Sequence, residues 1–129
     1  MNFPKKYIDL LKPETKAFLY LATLMPDGSP QVTPVWFDND EEHILVNTNA
    51  GRVKDQNMKE RSQVAMVIQD PTDPYRYLQI RGKVSGYTRE GADEHIDMLS
   101  HRYRGKPWNY NPEQKRIIFK IKPESFDEH

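Results

Sequence analysis

Residues 15–37 read TKAFLYLATLMPDGSPQVTPVWF. Thr15 to Met25 is rich in aromatic and apolar residues and shorter than a typical isolated helix. Pro26-Asp27-Gly28 is a turn sequence, and Gln31 to Phe37 resumes the apolar pattern beyond it. Two such runs joined by a Pro-Asp-Gly turn predict a β-hairpin. Pro34 has no N–H to give to a ladder, so the second run belongs at a sheet edge, at a bulge or against a ligand.

Toward the N-terminus, Pro4 to Leu11 predicts a short helix, with Pro4 in its first turn and Lys12-Pro13 ending it. Toward the C-terminus, Asp38-Asn39-Asp40-Glu41 is a turn that leads into a strand at His43 to Thr48. Asn49 is placed to cap a short helix over about Ala50 to Glu60, with Val53 and Met58 as its apolar contacts. Gln63 to Gln69 is a strand and Asp70 to Pro74 a loop. Tyr75 to Tyr87 is a long strand in which Gly82 and Gly86 mark a bend or bulge. Thr88 is the expected cap of a helix carrying Ala92, Ile96, Leu99 and Tyr103 on one face. Glu90, Asp93 and Glu94 suit the positive start of that helix and Arg102 and Arg104 its negative end, with Gly105 stopping it. Lys115 to Lys122 supplies a last strand. Short strands joined by turns, with three helices interspersed, predict a β-rich α+β fold: an antiparallel barrel with peripheral helices, one domain over residues 1–129.

Composition narrows the function classes. Nineteen basic and nineteen acidic residues cancel, so no global field draws the chain to nucleic acid or to a membrane surface. The absence of cysteine excludes a disulfide scaffold, thiolate chemistry and Cys-ligated metal centres. No apolar run approaches the ~20 residues that span a bilayer. Ile8 to Leu11 is too short for a signal peptide, so a cytoplasmic domain is expected. A chain of 129 residues buries a limited core, and a dimer interface would supplement it.

The stretch most informative about chemistry is Asn47-Thr48-Asn49-Ala50-Gly51-Arg52-Val53-Lys54-Asp55-Gln56-Asn57. A strand ends where a helix is about to begin, and unpaired N–H groups at a helix start favour an anion. Gly51 permits close backbone approach, Arg52 offers a planar fork for phosphate oxygens, and Lys54 a mobile point charge. Lys54 and Asn57, three apart, share a helical face. The pattern fits a phosphate cradle; a solvated helix surface carries the same residue types, and spacing alone leaves both readings open.

The remaining residues that draw notice have plain readings. Trp36 and Trp108 are of the type that anchors cores and interfaces, and Trp108-Asn109-Tyr110-Asn111-Pro112 is a loop whose place the sequence leaves open. His95 and His101 are six apart, off one helical face, and no HExxH occurs, so no metal site is expected. The acidic run Asp38, Asp40, Glu41 and Glu42 lacks the glycine of a calcium loop. No G-x-S-x-G marks a nucleophilic serine. Arg76, Arg81 and Lys83 share a strand without the aromatic signature of an RNA-binding sheet.

Taken with QVTPVWF and NTNAGR, the segment GRVKDQNMKERSQVAMVIQDPTDPYRYLQIRGKV resembles the pyridoxamine 5'-phosphate oxidase-like superfamily of split β-barrels. The PVWF strand, the NT-x-x-GR-x-K-x-x-N segment, DP-x-DPYRYLQIRG and GADEHIDMLSHRYRGK look most like its deazaflavin-dependent branch, which uses coenzyme F420. The resemblance runs from about Thr15 to Pro123. It implies a homodimer with two flavin or deazaflavin sites at the subunit interface. It also implies that Arg52, Lys54 and Asn57 hold the cofactor phosphate with Thr48 beside it. Thr33, Pro34, Val35 and Trp36 would lie along the ring, and Tyr75 and Tyr77 would approach from the partner subunit. The chain ends at His129, without the Trp- and Arg-containing C-terminal segment of pyridoxamine phosphate oxidases, so that oxidation is not expected. The resemblance implies an oxidoreductase that passes a hydride between F420 and an electron-poor small molecule. An FMN-dependent oxidoreductase of the same fold and a cofactor-binding protein without turnover are the alternatives.

Overall fold

The computed structural model describes residues 1–129. β1 (Leu19–Leu24) and β2 (Pro30–Val35) form the expected hairpin. Met25 N donates to Ser29 O (2.8 Å), and the Asp27 carboxylate accepts from Ser29 N (3.0 Å). Gly28 closes this turn at φ +87°, a conformation that favours glycine. A β3 of two residues (Asp38–Asn39) pairs with β4 (Ile44–Asn49) where only a turn was expected. The Asp40 carboxylate accepts from Glu42 N (2.8 Å) and His43 N (2.7 Å), which tightens the reversal and lays the two segments together.

α1 (Val53–Glu60) begins three residues later than predicted, and Asn49 does not cap it. The Asn49 side-chain oxygen instead accepts from Lys115 N (3.1 Å). The first turn is tied from inside by Asp55, which accepts from Gly51 N (2.8 Å). Met58 is buried as expected, but Val53 is half exposed. β5 (Gln63–Asp70) and β6 (Asp73–Thr88) make a tight hairpin rather than strands flanking a loop. Acceptance by Asp70 from Thr72 N and by Asp73 from Tyr75 N stabilises it. The pairing of β6 slips beside Gly82 and again before Gly86, at the two glycines expected to mark bends. A Cβ on Gly82 would lie 2.7 Å from Lys122 O, so no side chain fits there.

α2 (Ala92–Arg104) buries Ala92, Ile96 and Leu99 and ends at Gly105, φ +69°. Its N-cap is Gly91, not Thr88; the Thr88 hydroxyl accepts from Glu90 N (3.0 Å) in the approach to the helix. β7 (Arg116–Glu128) runs past the predicted end at Lys122 because it pairs with β6 along nearly its whole length. The opening segment is a 3-10 helix, Lys5–Leu11, with Tyr7 and Leu10 buried.

The strands form one antiparallel sheet in the order β2-β1-β5-β6-β7-β4-β3, curled into a split β-barrel. β2 is therefore an edge, and Pro34 withholds its donor where no further strand follows. Leu19, Leu21, Met66, Ile68, Leu78, Ile80, Phe119 and Ile121 fill the concave side, each almost fully buried. Burial on that scale contributes roughly 1.5–3 kcal/mol per side chain. The curl brings the far end of β2, the end of β4, the start of α1 and the start of β7 around one hollow. No helix is long and apolar enough to cross a membrane.

Candidate functional site

That hollow is a cavity of about 370 Å³. One wall is cationic. Arg52 occupies the N-cap of α1 and makes no side-chain cap bond, Lys54 follows two residues later, and Arg116 enters from the first residue of β7. Arg116 is 9% exposed, and its Nε donates to the Asn47 side-chain oxygen at 2.9 Å. Burial pushes its pKa down to about 10, the charge of Arg52 adds to the fall, and Asp93 opposes it. Lys54 is lowered from the ordinary lysine range by burial first, then by Arg52 and Arg116. No carboxylate lies within 4.0 Å of any of the three cations. Like charges held together out of water favour an incoming anion, which relieves both the repulsion and the desolvation cost. The donor set thus fits the phosphate or carboxylate end of a cofactor.

Aromatic rings line the rest, and the Arg116 guanidinium itself lies over the Trp108 ring, 5.1 Å from its centre. Trp36 stacks on Tyr103 at 5.4 Å and 4°, and meets Trp108 edge-on at 6.1 Å. The Tyr103 hydroxyl is fixed by donating to Ala17 O (2.6 Å), and burial raises its pKa. Trp108 is held by its backbone N–H, which donates to Asp97 Oδ1 at 2.9 Å. The Arg104 guanidinium lies over both tryptophans, 5.9 and 5.7 Å from their ring centres. Phe18 and Ile96 complete the apolar lining. A polar end and a flat apolar end in one cavity suit a planar ring that carries an anionic tail.

Behind the cationic wall runs a hydrogen-bonded line. Asn47 Nδ2 donates to Ala92 O (2.8 Å) and lies 3.2 Å from His95 Nδ1; His95 Nε2 lies 3.1 Å from Asp38 Oδ2. Arg102 reaches Asp38 Oδ1 at 3.2 Å. Burial pushes the Asp38 carboxyl up, but the hydrogen bonds from His95 and Asn39 N and the charge of Arg102 outweigh it, leaving it below the usual range.

A family model described as pyridoxamine 5'-phosphate oxidase matches residues 5–129. The chain belongs to the pyridoxamine 5'-phosphate oxidase family. An F420 reductase of solved structure is 35% identical to it, with a TM-score of 0.84 over 96% of this chain and 98% of that one. A conserved hypothetical protein from Mycobacterium tuberculosis is 20% identical, with a TM-score of 0.74 over 98% and 84% of the two chains. HupZ of Group A Streptococcus is 17% identical, with a TM-score of 0.70 over 98% and 93%. The last two speak for the fold alone. No curated protein sequence matches the chain.

Within this member of the pyridoxamine 5'-phosphate oxidase family, the cavity gathers Pro34, Val35, Trp36, Thr48, Arg52 and Lys54 from the residues singled out in the sequence. Four others lie elsewhere in the chain. Asn57 is 2% exposed, donates to the Thr23 hydroxyl (3.0 Å) and accepts from Arg61 (3.1 Å). Three helix positions past Lys54, its side chain has already turned toward β1. The Thr33 hydroxyl is buried without a partner and outside the cavity lining. Tyr77 stacks on His129 at 4.6 Å, and Tyr75 is 87% exposed. Both sit at the opposite end of the β6–β7 pair from Arg116, away from the cavity.

Sequence reasoning missed Arg116, Asn47, Asn49, Arg104, Phe18 and Ile96, and left Trp108 open. For Arg116 a signal existed: it is the cation immediately before the apolar run Ile117-Ile118-Phe119. The others become neighbours only through the β4–β7 pairing and the packing of α2 on β4 and β7.

Proposed function

We propose that the chain is an oxidoreductase that holds the deazaflavin coenzyme F420 and passes a hydride between it and an electron-poor small organic molecule. The observation that carries this reading is the cluster of Arg52, Lys54 and Arg116, none paired with a carboxylate, in one cavity with two tryptophans, Trp108 lying under the Arg116 guanidinium. The 35% identity to an F420 reductase over nearly the full length of both chains supports the choice of cofactor. When bound, the coenzyme supplies the hydride chemistry, so the protein's task is binding, orientation and exclusion of water.

In this reading Arg52, Lys54 and Arg116 take the anionic tail, with Thr48 beside them. Pro34 to Trp36 border the ring, and Trp36, Trp108 and Phe18 keep water from it. Thr33 supports the ring-side strand from behind, and Asn57 acts indirectly, by fixing α1 to β1 through Thr23 so that Lys54 faces the cavity. Exposed Tyr75, with Tyr77 near it, serves the cavity of a second copy, which makes the functional unit a homodimer.

Both tryptophans of the chain line the cavity, so selectively excited tryptophan fluorescence reports on it. A side-by-side titration with F420 and FMN tests the reading. Quenching that saturates at lower F420 concentration is expected, followed by turnover of the reduced coenzyme with an electron-poor acceptor. Tighter FMN binding would transfer the same cavity to a flavin oxidoreductase, tight F420 binding without turnover would make the protein a carrier, and binding of neither would overturn the cofactor reading.

A further inference from the structure

We infer that His95 is a positioning residue for the anion end of the cavity: through the side-chain amide of Asn47 it holds the Arg116 guanidinium in place. The proposal rests on the cavity being an anionic cofactor site.

The orientation of each group follows from its neighbour. A guanidinium only donates, so the Asn47 atom 2.9 Å from Arg116 Nε is the carbonyl oxygen. The Asn47 nitrogen then donates one hydrogen to Ala92 O at 2.8 Å and directs the other at His95 Nδ1, 3.2 Å away. Nδ1 must therefore accept, which puts the imidazole proton on Nε2, where it is given to Asp38 Oδ2 at 3.1 Å. Asp38 is kept anionic by Arg102 as well as by His95. Each link permits one orientation of the next, from β3 through α2 and β4 to β7.

The consequence lies at Arg116. Asn47 and Arg116 are 8% and 9% exposed; the guanidinium lies over the Trp108 ring, 5.1 Å from its centre, and Nε is its one nitrogen with a hydrogen-bond partner in the protein. Anchored at Nε, the side chain presents its two terminal nitrogens with no hydrogen-bond partner, beside Lys54 and Arg52. Arg52 is exposed and lacks such an anchor. A donor held before the ligand arrives costs less ordering on binding. If His95 offered a donor to Asn47, the amide would have to turn, presenting its nitrogen to Arg116 and its oxygen to Ala92 O. Both bonds would be lost.

The test has two parts. Long-range ¹H–¹⁵N NMR of the wild-type protein at neutral pH should show His95 as the Nε2–H tautomer; an Nδ1–H or doubly protonated ring would overturn the proposal. Fluorescence titrations with F420 and FMN then compare His95→Asn, His95→Gln and Arg116→Ala, with melting temperatures recorded beside them. Asparagine can put its carbonyl oxygen where Nδ1 accepts; glutamine can replace the Nε2 donor but leaves Asn47 without an acceptor. We expect His95→Gln and Arg116→Ala each to weaken binding about tenfold, the scale of one charge-assisted hydrogen bond, while His95→Asn stays within about threefold. Equal losses in the asparagine and glutamine variants, or none in either, would overturn the positioning role alone. Unchanged affinity in Arg116→Ala, or a wild-type protein that binds neither cofactor, would overturn the cavity reading and the proposal with it.

Discussion

Arg76 and the Arg52–Lys54–Arg116 cluster are two basic features at opposite ends of the same barrel, and their surroundings differ in sign. Arg76 meets Asp9 at 2.8 Å and Asp70 at 2.9 Å, donates to Lys6 O at 2.6 Å, and lies over the Tyr7 ring. The bonds to Asp9 and Asp70 raise its pKa, and that of Asp70 falls to about 2, chiefly through Thr72 N and Arg76. In the cavity the same residue types face one another, and Lys54 and Arg116 are pushed down. A cation with acids around it is a clasp, here joining the opening 3-10 helix to β6. A cation among cations, half out of water, is prepared for an anion the chain does not supply.

Removing charge from the two regions should separate these roles. Arg52→Ala combined with Lys54→Ala is expected to weaken cofactor binding at least tenfold and leave the melting temperature nearly unchanged. Each charge-assisted hydrogen bond is worth about 1.5–3 kcal/mol, while the loss of mutual repulsion favours the fold. Fluorescence titration and a thermal scan check both halves; unchanged affinity would sink the cradle.

Turning the receptor into a clasp should have the next largest effect. Asn49→Asp keeps the oxygen that accepts from Lys115 N and adds a carboxylate to the cavity wall. Binding should weaken about three- to tenfold through like-charge competition, with the melting temperature equal or higher. A lower melting temperature with intact binding would contradict the electrostatic account.

The pH dependence is a finer discriminator. Lys54 is charged below its pKa and neutral above it, and that pKa lies below the ordinary 10.5 in the free protein. Affinity should therefore decline on the alkaline side before ordinary lysines titrate. Lys54→Arg should move that decline to higher pH, because a guanidinium holds its proton more strongly than an ammonium in the same place. Coincident titration curves for the two proteins would remove Lys54 from the site.

Arg76→Ala should be the mildest change: cofactor affinity unaltered, melting temperature lower by about 2–5 °C, since exposed ion pairs contribute up to about 1 kcal/mol. The sign with pH is set by Asp70, whose folded pKa lies below its usual 3.8. Its contribution is present above that value and is lost as pH falls from about 3.8 to about 2. Acid unfolding of Arg76→Ala should show less of this loss than the wild type.

The hairpin at residues 15–37 was legible because a Pro-Asp-Gly turn between apolar runs is local chemistry. So were the bulge glycines of β6 and the apolar face of α2. The capping assignments failed at Asn49 and Thr88 because a capping residue type does not reveal which N–H lies within reach. Lys115 N claimed Asn49, and Glu90 N claimed Thr88. Asn57 lies outside the cavity for a similar reason: a shared helix face cannot say where the solvent stops, and Thr23 on β1 draws its amide inward.

The order of polar and apolar residues therefore decides most of the elements, the β1–β2 turn and the presence of a basic segment between β4 and α1, because these depend on neighbours within a few positions. Which cations share a cavity depends on strand register. Pairing Asn49 with Arg116 across β4 and β7 brings residues 67 positions apart onto one wall, and the Trp108 ring lies under the Arg116 guanidinium with Arg104 beside it. No local pattern encodes that meeting. It comes from the curl of a seven-stranded sheet around its apolar core, which places charge where water is scarce.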